Sequence, residues 1–244
     1  MKWVPDRTGR FARRPHYLPE ELDEECERII GEFLKQKYGR AEFPVKTDDL
    51  TVLIEQKADL DSYADLSEEE GDVEGVTDFT PGQRPVVRIS DRLNAANMEN
   101  RLRTTLTHEW GHVHLHQFMF EVDAKPRSLF GDEAQAVSNK CKRDKIVGAS
   151  ETDWMEWQAG YVCGAILMPA GPLIDTVQDF RRENHLALTN LVLNSDAGQL
   201  LIDTVAARFQ TSKDAARVRL LKKQLLADSG LARMGDLFQG KSLF

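Results

Sequence analysis

The stretch Thr105–His116, TLTHEWGHVHLH, carries four of the six histidines in a chain of 244 residues. Within it, His108-Glu109-Trp110-Gly111-His112 is an HExxH pattern. On a helix, residues four apart lie one turn apart on one face, so both imidazoles can meet a single ion. A glutamate next to the first histidine stands beside that ion, where it can take a proton from water. With so few histidines, a chance match somewhere in the chain is expected on the order of 1 % of the time, so the pattern is read as a metal site. His114 lies about 200° around the helix from His112 and faces away from any ion held there. His116 shares the approximate face but lies roughly 12 Å beyond His108, a neighbour and not a ligand. The motif therefore assigns His108 and His112 to the metal and Glu109 to the proton.

Helical spacing extends from about Met98 through Phe118, as that chemistry demands. A catalytic zinc normally has three protein ligands and one open position, so a third ligand must come from elsewhere. The next helical stretch, Asp153–Leu167, stops at Pro169 and holds Glu156 near its first turn. Its small residues Ala159, Gly160, Gly164 and Ala165 permit close packing on the HExxH helix, which a carboxylate at Glu156 can face. Spacing alone does not choose the ligand.

HExxH followed by Glu156-Trp157-Gln158-Ala159 and the tail Ile166-Leu167-Met168-Pro169 resembles the ImmA/IrrE family of zinc-dependent endopeptidases, of the gluzincin type. The resemblance runs from about Leu22 to Leu226. It implies an α+β, zincin-like peptidase with a small twisted sheet, an HExxH helix and a glutamate-ligand helix, followed by a helix-turn-helix-like C-terminal part. It implies Glu156 as third ligand of one Zn2+, with Mn2+ also accommodated by an N₂O ligand set. It further implies hydrolysis of a peptide bond by metal-activated water, with Glu109 as general base.

Two departures from the family pattern stand out. Gly160 occupies the place, four residues after the ligand glutamate, where the family commonly has Asn or Asp to orient a metal-bound histidine. Asp153 is the candidate substitute. The 44-residue separation of His112 from Glu156 is also long, the excess falling in an inserted loop region at 121–150.

Away from the motifs, residues 1–17 read as an irregular arm, 18–190 as the peptidase domain, and 191–244 as a helical C-terminal subdomain and tail. Leu22, Cys26, Ile29, Ile30, Phe33 and Leu34 give one apolar helix face ending near Tyr38-Gly39. A short helix at 48–56 buries Leu50, Leu53 and Ile54. Strands are predicted at Asp72–Phe79 and Val86–Ser90 around a Pro81–Pro85 turn. Val86, Val87, Arg88 and Ile89 are expected to form an exposed sheet edge on which an extended substrate pairs. Helices at 199–209 and 212–226 complete the chain.

The net charge of −8 argues against a protein that coats nucleic acid or anionic membrane through its overall field. Cys26, Cys141 and Cys163 form no CxxC pair and read as reduced thiols of a cytoplasmic protein. The basic N-terminus lacks the apolar run of a secretory signal, and no stretch is long enough to span a membrane. From Ser212 to Lys223 five Lys or Arg stand against one Asp, which would suit DNA phosphates. Two functions follow. One is an intracellular endopeptidase cutting a regulatory protein, a repressor or antitoxin-like partner. The other is a DNA- or protein-binding regulator using that basic helix, its metal site structural or inactive. An intact Glu109 favours the first, since a structural site has no need of it.

Overall fold

A computed structural model describes residues 1–69, 71–124, 137–142, 153–186 and 191–228. Helix α1 (Pro19–Tyr38) begins at a proline and carries Glu20 and Glu21 in its first turn, where acids suit the helix dipole. The Leu18 amide donates to Glu21 Oε2 at 2.9 Å. The helix ends at Gly39, whose φ of 78° is left-handed and whose N–H reaches the Lys35 carbonyl. The face read from the sequence is the one it buries, through Leu22, Cys26, Ile30, Phe33 and Leu34. Helix α2 (Thr47–Glu55) buries Leu50, Leu53 and Ile54 as expected.

Four strands form the main sheet: β3 (Asp59–Ala64), β4 (Val73–Phe79), β5 (Val86–Ser90) and β6 (Val137–Lys142), in the order β3-β5-β4-β6. β3 runs parallel to β5, while β4 is antiparallel to both β5 and β6. Val86–Ser90 is therefore no edge. Strand partners on both sides consume its backbone hydrogen bonds, so Val86, Val87, Arg88 and Ile89 cannot accept an extended substrate by strand addition. Two features of the sequence hid this. The Asp59-Leu60-Asp61-Ser62 start of β3 is polar on its exposed face, and β6 lies inside the 121–150 region read as loop. Residues 125–136 and 143–150 of that region lie outside the described residues.

Residues 1–17 also depart from the irregular arm. β1 (Lys2–Pro5) and β2 (Arg13–His16) pair as an antiparallel hairpin. Its tip residue Phe11 packs edge-on against Phe120 and Trp154, which anchors the hairpin to the helices that follow.

Helix α3 (Glu99–Ala124) lies across β4, and α4 (Trp154–Leu167) lies against α3. The two helices approach at Gly111, where a Cβ would stand 3.0 Å from Ala159 Cα. After the break at Pro169 come α5 (Ala170–Glu183), α6 (Asp196–Phe209) and α7 (Lys213–Lys222). Ser195 and Ser212 cap α6 and α7 by accepting from the Gly198 and Ala215 amides. One apolar cluster joins Leu22 and Ile30 of α1, Leu106 and Trp110 of α3, Val162 and Ile166 of α4, and Leu201, Phe209 and Leu220 of the last two helices. Among the described residues, no single helix is long and apolar enough to cross a membrane.

Candidate metal centre

His108, His112 and His116 follow one another at intervals of four on α3, so a single stripe of the helix carries all three imidazoles. That stripe is fully buried between α4 and the sheet. Opposite it, the first turn of α4 delivers Glu156. One ligand atom from each of His108, His112 and Glu156 lies within 4.8 Å of the others. The two histidine Nε2 atoms are 3.1 Å apart, and each is 3.3 Å from a Glu156 carboxylate oxygen.

Three lone-pair donors aimed at one buried point are mutually satisfied only by positive charge between them. Burial lowers the proton affinity of His112, but its hydrogen bond to Glu156 and the charges of Glu156 and Glu109 outweigh that and raise its pKa. Burial would raise Glu156, yet the hydrogen bonds from His108 and His112 hold it far below the usual carboxylate range. A two-nitrogen, one-carboxylate set of this kind fits one divalent ion such as Zn2+.

Glu109 stands beside this group and is wholly buried, a condition that raises its pKa against the pull of His112, His108 and Thr77. Thr77 Oγ1, from β4, donates to Glu109 Oε2. Oε1 has no hydrogen-bond partner among the described residues. A buried carboxylate with one oxygen fixed and the other unpartnered is placed to hold and release a proton.

His114 takes the other side of the helix. It stacks on Trp110 at 4.6 Å and meets Lys57, and burial together with the Lys57 charge lowers its pKa to about 4. His116 backs His112, as a neighbour. Its Nδ1 is 3.1 Å from His112 Nδ1, its Nε2 is 3.0 Å from Gln158 Oε1, and burial depresses its pKa well below that of an exposed histidine.

Asp153 precedes α4 at its N-cap, and its charge contributes to the raised pKa of His112. Gly160, one turn after Glu156 on α4, lines with Tyr161, Arg219 and Lys222 a small cleft beside α7. In β5, Val87 and Ile89 are core residues, and Arg88 pairs with Asp78 at 3.1 Å. Sequence reasoning missed Gly75, Thr77 and Gln158. The first two come from a strand whose order in the sheet was not readable. The third sits inside the Glu156-Trp157-Gln158-Ala159 motif, where its polarity on a buried face was the available signal.

A family profile described as Peptidase_M78, IrrE N-terminal-like domain, matches residues 63–221. The match takes in both motifs. No curated protein matches the chain.

Proposed function

The chain belongs to the Peptidase_M78 family of IrrE N-terminal-like domains, and from that premise we propose that it is an endopeptidase that cuts a specific regulatory protein, a repressor or antitoxin-like partner. His108, His112 and Glu156 would hold one divalent ion, Zn2+ in the first instance and Mn2+ as the other ion the set accepts. When bound, the ion supplies Lewis acidity to the scissile carbonyl and to water. Glu109 then moves the proton. It takes it from the attacking water at Oε1 while Thr77 holds Oε2, and returns it to the amide nitrogen as the C–N bond breaks and the water oxygen stays on the carbonyl carbon. The clustering of His108, His112 and Glu156 beside that unpartnered oxygen carries the reading.

The competing reading, a DNA-binding regulator acting through residues 212–223, draws less support. Arg219 is buried and bonded to Asp23 Oδ1 at 2.6 Å, and Lys223 meets Asp23 Oδ2 at 2.6 Å. Arg217 faces Asp214 at 3.6 Å. Two of the five basic side chains, Arg219 and Lys223, are thus committed to Asp23 within the fold, and Lys213 and Arg217 pair at the surface with Asp203 and Asp214.

The test is Glu109→Gln in metal-loaded protein added to lysate of the host, with lost full-length proteins identified by mass spectrometry. Metal content should stay equal to that of the parent while cleavage falls by about 10²- to 10⁴-fold, the usual loss on removing a general base. Undiminished cleavage by Glu109→Gln would remove the proposal.

A further inference from the structure

Beyond its three clustered side chains, the centre continues into a second row of buried polar groups. His112 Nδ1 lies 3.1 Å from His116 Nδ1, His116 Nε2 lies 3.0 Å from Gln158 Oε1, and Gln158 Nε2 donates to the Pro15 carbonyl at 2.9 Å. His112 and His116 are completely inaccessible and Gln158 is 1 % exposed, so water cannot substitute for any of these partners. The row starts in the N-terminal hairpin, which lies outside the matched residues 63–221, and ends on the back of His112.

Proton count gives the row a direction. A backbone carbonyl only accepts, so the Gln158 amide nitrogen must face Pro15 and its oxygen must face His116. An amide oxygen only accepts, so His116 Nε2 must carry the hydrogen. A buried imidazole is disfavoured as a cation, which leaves His116 Nδ1 as a lone pair. His112 Nδ1 must then donate to it, which leaves His112 Nε2, facing His108 Nε2 and Glu156, as the nitrogen open to a metal ion. Each step has one solution, and the last delivers the form of imidazole that a metal ion requires.

We propose that His116 and Gln158 are positioning residues of the metal centre, which fix the tautomer and ring orientation of His112 from the anchor of the Pro15 carbonyl. The proposal rests on the metal reading of the His108, His112 and Glu156 group, but on no part of the peptidase reading. It assigns a role to the extra histidine of the HEWGHVHLH stretch. It also makes the N-terminal hairpin part of the centre. In this chain, with glycine at 160, that orienting work falls to Gln158, one residue before the end of the Glu156–Ala159 motif and directed inward.

The tautomers can be read directly in the Zn2+-loaded protein by long-range ¹H–¹⁵N correlation of the imidazole nitrogens, without any substrate. His112 should be wholly in the Nδ1–H form and His116 wholly in the Nε2–H form. Finding either ring in the opposite tautomer overturns the proposal, whereas failure of every cleavage assay leaves this result untouched. Gln158→Leu should then mix the tautomers of both rings and weaken Zn2+ binding, measured by competition with a chelator, by about 10- to 100-fold. Pro15→Ala, which keeps the carbonyl, should preserve both. Gln158→Leu protein that melts like the parent and binds Zn2+ equally well would also overturn it.

Discussion

Gly75 lies directly beneath Glu109: a Cβ at residue 75 would stand 2.6 Å from Glu109 Oε1 and 2.9 Å from its Cγ. Gly75 follows a register shift between β4 and β6 but has no left-handed φ, so the glycine is required by space. In an open strand, alanine would replace glycine with a gain, since glycine is costly to order. Here the added methyl must displace the carboxylate. Gly75→Ala should therefore keep its metal, judged by bound Zn2+, and lose about 100-fold in peptide cleavage, the scale of loss for a misplaced catalytic group. Full activity in this variant would show that Glu109 Oε1 does not need the position it has.

Gly111 sets the distance between the two helices that carry the centre. A side chain there meets Ala159 Cα at 3.0 Å, the Ala159 carbonyl at 3.3 Å and Val162 Cγ1 at 3.3 Å. A free helix gains from replacing glycine, by up to about 1 kcal/mol. Gly111→Val should instead cost about 1–3 kcal/mol by overpacking, and should draw Glu156 away from His108 and His112. A thermal melt and a Zn2+ titration on the same sample test both halves. A melt at or above that of the parent would mean the helices have room to spare.

How much of this was readable beforehand follows from how local each signal is. HExxH names its ligands because four residues make one turn, and Glu156 followed through the family's second motif. The faces of α1 and α2 were legible for the same reason, as period-3.6 patterns on single elements. Sheet order is not local. The Val86–Ser90 strand was found, but β3, whose exposed face is acidic, and β6, set among polar residues, gave no alternation strong enough to flank it. The small residues of α4 announced a close approach, and Ala159 makes it. Gly160 and Gly164 point instead toward the Arg219 side, a distinction that needs the third dimension. Arg219 looked like a phosphate contact because sequence shows charge and not its burial.

Asp23, on α1, gathers Tyr161, Arg219 and Lys223 around one carboxylate and so ties α1, α4 and α7 together. Burial would raise its pKa, but the charge and hydrogen bonds of Arg219 and Lys223 prevail and lower it. A carboxylate with a depressed folded pKa contributes stability above its unfolded value, near about 3.9, and loses it as pH falls through the folded value. Acid titration of the parent should therefore show a loss of stability below about pH 4 to which Asp23 contributes. Asp23→Asn should flatten that slope. At neutral pH it should cost about 3–5 kcal/mol, because Arg219 is left as an uncompensated buried charge. Denaturant melts at several pH values measure both. An unchanged acid slope would mean the pair contributes nothing to folding.

The strand next to Glu109 already has a neighbour. β6 pairs antiparallel with β4, placing the Cα of Cys141 against Gly75 and that of Asn139 against Thr77, the two β4 residues that touch Glu109. The chain thus fills, with its own inserted segment, the edge at which an extended peptide would add to β4. If substrate takes that edge, β6 and substrate compete, and the apparent affinity for a peptide is reduced by the fraction of time the edge is free. Replacing residues 130–148 with a short Gly/Ser linker should then raise kcat/KM for an unstructured peptide by about tenfold or more, the factor expected when the edge is free a tenth of the time or less. Zn2+ affinity should not move, since its three side chains come from α3 and α4. A variant that melts like the parent, holds metal equally and cleaves no faster would mean that substrate reaches Glu109 without displacing β6.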